Sequence, residues 1–217
     1  MKRTLSVFAI VCTAAGPAQA VEVSANIGFM SDYIFRGIEQ AESAAMGGVD
    51  VTHEGFYAGT WAADVSQGLE IDLYGGYNGA LGDLTYSIGA TGYYYTDDFD
   101  DTYQELNLGA GYGIFSIDAA FGRYENFDGP TEDYSYIAPG LAYAGFYGLV
   151  GVFGNDFDGE YYEAGYGSRI ESVGLDYKLA VIHGTGDLLG DNDGDGEEDE
   201  DTSVVFSISK SFQLLPR

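Results

Sequence analysis

Leu69-Glu70-Ile71-Asp72-Leu73-Tyr74-Gly75-Gly76-Tyr77-Asn78 places apolar side chains at Leu69, Ile71 and Leu73, with carboxylates between them. A strand sends successive residues to opposite faces. Ile71, Leu73 and Tyr77 therefore share one face, and Glu70, Asp72 and Tyr74 the other. The same pattern recurs on both sides. Near the start, Val23, Ala25, Ile27, Phe29, Tyr33 and Phe35 share a face opposite Asn26, Gly28, Met30, Asp32 and Arg36. Further on, Leu106, Leu108 and Ala110 oppose Glu105 and Asn107. Read this way, the chain holds twelve strands, within a range of ten to fourteen. They fall near 23–36, 47–53, 56–64, 69–78, 84–95, 103–112, 115–124, 133–143, 146–153, 161–170, 174–184 and 203–212. The eighth and ninth, with Pro139 and Leu149-Val150-Gly151-Val152, do not resolve into faces.

The connections sort by parity. Odd-to-even links hold Glu39 and Glu42, the bend at 66–68, Asp97 to Asp101, Glu125 to Asp133, Asp156 to Glu160 and Asp187 to Asp201. Even-to-odd links are short, as at Glu54-Gly55, Gly113-Ile114 and Ala144-Gly145. Long acidic loops at one end and tight turns at the other describe an all-β, transmembrane, antiparallel up-and-down barrel with extracellular loops and periplasmic turns. A soluble sandwich also alternates, but it has no reason to sort charge and loop length by parity.

The first residues give the compartment. Met1-Lys2-Arg3 is basic, Leu5 to Ala15 is apolar, and Ala18-Gln19-Ala20 is a small-x-small site, so 1–20 read as a cleaved secretory signal. The barrel domain then occupies 21–217, with an acidic loop at 187–201. The apolar stretch is far shorter than the roughly 20 residues of a spanning helix. The one cysteine, Cys12, lies in the signal, which leaves 21–217 without disulfide or thiolate chemistry. Of 8 Lys and Arg, Lys2 and Arg3 also belong to the signal, so six bases face 35 acids and the formal charge of 21–217 is near −29. Such a chain repels nucleic acid.

Ser31-Asp32-Tyr33-Ile34-Phe35-Arg36-Gly37-Ile38, Phe56-Tyr57-Ala58-Gly59-Thr60-Trp61-Ala62, Glu70 to Tyr77 and the closing Val204 to Phe212 resemble the TorF-type porins of Gram-negative bacteria. The likeness is close over the first 80 residues and the last ten, and diffuse between. It implies an outer-membrane barrel with a pore and supplies no substrate. Glu39 stands where that pattern commonly has Ser. The acidic stretch before the last strand and the tail Gln213 to Arg217 also depart from it.

Strand parity fills the lumen with Asp32, Arg36, Asp50, Glu70, Asp72, Glu105, Asp118, Glu163, Arg169, Asp176 and Lys178. Eight carboxylates against three bases predict a cation preference. Asp32 and Arg36, about 13 Å apart on one strand, cannot bridge each other and need cross-strand partners. Either Arg36 is a fixed charge opposed by Glu70 and Asp72, or it belongs to a salt-bridge ladder in the wall. Asp191, Asp193 and Asp195 match the start of a D-x-D-x-D-G calcium loop, with Glu200 as a further oxygen donor. Thr202 stands at the twelfth position, where a bidentate Glu belongs, and the other reading is a solvated acidic loop. No cofactor beyond that calcium is expected. His53 and His183 lack a serine at useful spacing, so catalysis is not expected. The expected function is a porin passing small hydrophilic solutes with cation bias, in contact with outer-membrane lipid and lipopolysaccharide. The alternative is a non-conducting surface barrel whose acidic loops bind calcium or partner molecules.

Overall fold

The computed structural model describes residues 21–190 and 199–215. Its strands are β1 (Glu22–Met30), β2 (Tyr33–Phe35), β3 (Ile38–Ala41), β4 (Ala44–His53), β5 (Phe56–Asp64), β6 (Leu69–Leu81) and β7 (Leu84–Tyr95). They continue as β8 (Tyr103–Tyr112), β9 (Phe115–Tyr124), β10 (Glu132–Tyr143), β11 (Phe146–Asn155), β12 (Glu160–Ile170), β13 (Leu175–Gly184) and β14 (Asp201–Leu215), with one helical turn, α1 (Gly186–Leu189). Twelve of them, β1 and β4 to β14, form a closed antiparallel barrel in chain order. Pairing of Ala25 with Phe212 through Met30 with Ser207 closes the wall, and closure leaves no strand edge unpaired.

The outside of this barrel is oily. Ile27, Leu73, Ile88, Leu106, Phe121, Ile137, Val181 and Val204 are all exposed, as the alternation requires. Contiguous apolar surface on this scale is at home in lipid, where a closed barrel satisfies every backbone group by itself. Among the described residues no helix is long and apolar enough to cross a membrane. Short turns, the start of β1 and the end of β14 lie at one end of the barrel, which we call the turn end; the long connections lie at the other, the loop end.

The faces left open in the sequence now resolve. In β10, Tyr134, Tyr136 and Ala138 are buried while Ile137 and Leu141 are exposed; in β11, Tyr147 and Phe153 are buried and Val152 is exposed. Pro139 has no N–H to give the ladder. Pairing of β10 with β11 runs from Tyr134 to Ile137, skips Ala138 and Pro139, and resumes at Gly140.

One expectation fails. Residues 23–36 are not a single strand: the wall strand stops at Met30, and 33–41 form the separate hairpin β2–β3, which pairs only with itself. Tyr33, expected on the lipid face, is 5% exposed, and Phe35 packs against the same buried cluster as Tyr33 and Trp61. The turn explains the reversal. Arg36 and Gly37 both have positive φ, 50° and 89°, as a two-residue type I′ hairpin requires. The wall does not suffer, because β1 and β4 pair directly from Glu22 with Thr52 to Met30 with Ala44.

Ile88 lies midway along β7 and is 48% exposed. Ile88→Arg is expected to destabilise the barrel by about 2–4 kcal/mol in lipid vesicles, the depth-dependent effect of a base at the midplane. Urea unfolding in vesicles checks this, with Ile88→Ala as the milder control.

Candidate functional site: the lumen and its inward hairpin

Since the barrel wall is complete without it, the hairpin's side chains point to what it does. At its tip, Arg36 Nη1 donates to Glu105 Oε1 at 2.5 Å and Nη2 to Oε2 at 3.0 Å. Glu105, on β8, is otherwise sealed, with 0% of its side chain exposed. It also accepts from Tyr134 Oη at 2.7 Å, Asn107 Nδ2 at 2.8 Å and Tyr93 Oη at 3.1 Å. Five donors on one carboxylate offset the large desolvation cost of burying a charge pair. The guanidinium lies 4.1 Å from the Tyr136 ring centre and 4.9 Å from that of Phe35, a sandwich that suits a planar cation.

A second fastening sits near the base of the hairpin. Tyr33 Oη donates to Glu70 Oε1 at 2.6 Å, and Glu70 is 1% exposed. Met30, Tyr33, Ala41, Met46, Trp61 and Ala63 pack around it. Gly37 passes so close to the wall that a Cβ there would stand 2.6 Å from that of Tyr161. The hairpin thus fills the lumen at the loop end, where Tyr93, Tyr95, Tyr103, Tyr124 and Phe157 add a layer of touching rings.

The wall below is narrower than its glycines suggest. A Cβ at Gly89 would lie 2.2 Å from the Tyr57 hydroxyl, at Gly59 2.6 Å from Tyr74, at Gly151 2.1 Å from Tyr161, and at Gly165 2.6 Å from the Tyr147 hydroxyl. Each glycine seats a tyrosine from another strand, adjacent in three cases and, for Gly89 and Tyr57, one strand further along the wall. Toward the turn end the inner face turns polar. Tyr74 donates to Asp50 at 2.6 Å, Tyr147 to Glu163 at 2.5 Å, and Lys178 to Glu163 at 3.1 Å. Arg169 meets its register partner Asp176 at 3.3 Å.

Of the eleven residues read as luminal, Arg36 comes together with Glu105 rather than with Glu70 or Asp72, because it rides on the hairpin and not on the wall. The ladder envisaged for it is found instead between β12 and β13, at Arg169–Asp176 and Glu163–Lys178. All three bases are thereby matched to carboxylates. Asp50, Glu70, Asp72 and Asp118 stand without a base among the described residues. Glu70 Oε2 and Asp72 Oδ1 are buried and bonded to nothing. Asp32 lies apart from these, at the loop-end rim between β1 and β2. Sequence reasoning missed the ring layer altogether; the surplus of Tyr over other aromatics was its one sign.

Asp191, Asp193 and Asp195 lie outside the described residues, and Glu200 is exposed. Among the described residues no group of three or more His, Cys, Asp or Glu is arranged to hold a metal ion. His183 Nδ1 is 2.8 Å from Thr202 Oγ1, and His53 Nε2 is 3.9 Å from Glu54.

Over residues 14–145 the chain matches a family described as bacterial proteins of unknown function, Gcw_chp. It belongs to that family. The matched stretch contains the hairpin, Glu70, Asp72 and Glu105. No curated protein matches the chain. Among solved structures, one from work on the in-meso crystallization of membrane proteins is 10% identical, with a TM-score of 0.56 over 89% of this chain and 84% of that one. OccK2 (OpdF) of Pseudomonas aeruginosa, solved in complex with glucuronate, is 14% identical, covering 89% of this chain and 68% of that one at a TM-score of 0.40. OccAB4 of Acinetobacter baumannii is 10% identical, covering 88% and 62%, at 0.42. These likenesses concern the barrel fold.

Two predictions follow from the geometry. Arg36→Met leaves Glu105 buried and unpaired, and Glu105→Gln leaves Arg36 so; each is expected to destabilise by about 3–5 kcal/mol, and the double variant by less than either. A double-mutant cycle by urea unfolding checks the coupling. At the rim, Asp32 and Glu39 both have pKa values above the ordinary carboxylate range: burial comes first in each, a hydrogen bond with Ser203 partly offsets it at Asp32 before Asp201 and Glu42 add repulsion, and at Glu39 the repulsion comes from Asp32, Asp201 and Glu42. A raised folded pKa means that ionisation opposes folding, fully so above that pKa, and that the penalty disappears as pH falls through it. Asp32→Asn is therefore expected to raise the melting temperature at pH 7 and to do little near pH 4. An equal gain at both values counts against mutual repulsion at this rim.

Proposed function

We propose that this chain is a gated outer-membrane porin for small hydrophilic cations, held shut in this state by its β2–β3 hairpin. The observation that carries the reading is the Arg36–Glu105 pair, which fastens the hairpin by a half-buried base across a lumen whose wall closes without it. With Arg169 and Lys178 also matched, Asp50, Glu70, Asp72 and Asp118 leave the inner face with a net negative charge. Rings of carboxylates favour cations over anions.

Several further features belong to the same proposal. Residues 1–20 are removed on export, 21–217 form the barrel domain in contact with outer-membrane lipid and lipopolysaccharide, and the resemblance to TorF-type porins supports a conducting role. The acidic loop at 187–201, with Asp191, Asp193, Asp195 and Glu200, draws cations toward the mouth and takes up calcium. The filled loop end favours a second reading, a non-conducting surface barrel whose loops bind calcium or partner molecules.

Single-channel recording of the refolded protein in planar bilayers under a KCl gradient separates the two. Brief openings with a reversal potential favouring K⁺ are expected. Arg36→Ala should raise the open probability several-fold, and Asp72→Asn should weaken selectivity. If a variant with 33–41 replaced by a short Gly/Ser link forms a folded barrel and still passes no current, the porin reading fails and the surface barrel stands.

A further inference from the structure

Above the hairpin tip, at the loop end, lies a cavity of about 100 Å³. Its walls are mostly rings: Phe35, Tyr93, Tyr95, Tyr103, Tyr134 and Phe157. Tyr103 stands roughly at right angles to its neighbours, at 90° to Tyr93, 75° to Tyr95 and 68° to Tyr134, with centroids 6.1–6.5 Å apart. Tyr103 also stacks on Tyr124 at 4.3 Å and Tyr134 on Phe157 at 4.7 Å, so the space is bounded by both edges and faces of aromatic rings.

The polar atoms of the lining are already engaged. Both arms of Arg36 are spent on Glu105. Asp100 Oδ1 accepts from Tyr124 and from the Asp101 amide, and its Oδ2 accepts from Tyr103. Gln40 Nε2 donates to the Ile38 carbonyl. A hydroxyl-rich ligand such as a sugar needs free, directed donors and acceptors, and this cavity has few to offer. What it presents is π surface and charge. Arg36 and Glu105 cancel, which leaves Asp100 in the wall and, behind the rings, Glu70, whose carboxylate interacts with the Tyr33 and Tyr95 hydroxyls. Negative charge behind aromatic faces is the environment that holds an alkylated ammonium, whose positive charge is diffuse and which offers no N–H to satisfy.

We propose that this vestibule binds a compact quaternary ammonium group, of the size of tetramethylammonium or the head group of choline. The inference deepens the cation reading above by naming the class of cation, and it is tested by binding alone, so that a non-conducting barrel does not decide it. The volume sets an upper limit: a trimethylammonium head fits, and bulky aromatic cations do not.

Isothermal titration of the refolded protein in detergent micelles with tetramethylammonium chloride, with KCl and with glucose is the test. Saturable tetramethylammonium binding is expected, at least about tenfold tighter than any binding of K⁺, with none for glucose. Tyr103→Leu keeps bulk and loses the π face, and should weaken binding roughly fivefold or more. Tyr103→Phe should restore it, and Asp100→Asn should weaken it by removing the charge. Heat-dependent gel mobility reports whether each variant is folded; should Tyr103→Leu not fold, Tyr95→Leu takes its place. Tetramethylammonium binding no tighter than K⁺, equal binding of glucose, or a folded leucine variant that binds like the parent overturns the proposal. Cation-selective currents without tetramethylammonium binding would remove this site and leave the porin reading intact. Binding without current would do the reverse.

Discussion

The carboxylate of Glu105 is the point on which the interior is arranged. It sits on the barrel wall with none of its side chain exposed, and it can remain ionised there only because a cation and three neutral donors converge on it. Tyr93, Asn107 and Tyr134 come from the wall itself, but the cation comes from a hairpin 69 residues earlier in the chain. Bringing that cation in obliges the hairpin to enter the lumen. Phe35 and Tyr136 then sandwich the guanidinium, Tyr33 reaches Glu70, and the rings above close over the tip. A purely apolar plug of the same volume would be about as stable. What the pair adds is position, since a bidentate guanidinium accepts one geometry where packed rings accept several.

The rest of the lumen is filled by a repeated device. Glycine on one strand seats tyrosine from another, at Gly59 with Tyr74, Gly89 with Tyr57, Gly151 with Tyr161 and Gly165 with Tyr147. A ring laid over a glycine covers backbone that would otherwise face water and restores packing lost with the missing side chain. Glycine on a luminal face would by itself leave open space. In the barrel that space is occupied, and the interior is narrowed by rings whose hydroxyls mostly end on carboxylates. A twelve-strand wall sits between barrels filled by side chains and those that leave a wide aqueous channel, and here the tyrosines shift it toward the filled side.

The wall was legible and the plug was not, for a shared reason. Lipid on one side and polar lumen on the other impose period two on every wall strand, and Leu69 to Asn78 shows it without ambiguity. The hairpin also has period two. Tyr33 and Phe35 continue the apolar phase of Ile27 and Phe29 across Ser31 and Asp32, so nothing in the alternation marks where the wall stops. The one available signal was Arg36-Gly37. Glu54-Gly55 and Ala144-Gly145 are turns of the same X-Gly chemistry, with positive φ at both residues, and applying to Arg36-Gly37 the reading given to them would have broken the first strand in two. Glu105 as the partner had no local signature at all, because the pairing depends on how far the hairpin reaches into a closed barrel.

The wall also shows where the hairpin is tied to the barrel. Its roots are tied: the Ser31 amide donates to the Phe206 carbonyl at 2.8 Å, the Phe206 amide donates to Ser31 Oγ at 2.9 Å, and the Ser66 amide and hydroxyl both donate to the Gln40 carbonyl. Between those ties, 33–39 are held by Arg36, by Tyr33 and by ring contacts, with no hydrogen-bonded ladder to the barrel. Because Met30 pairs directly with Ala44, withdrawing the tip breaks no wall hydrogen bond and opens no seam. Removing the hairpin would leave the wall closed, but it would unpair the buried Glu105 and uncover the cluster around Trp61. Its position across the lumen, beneath a rim of mutually repelling carboxylates, makes the tip the part that would move in the gated porin proposed above.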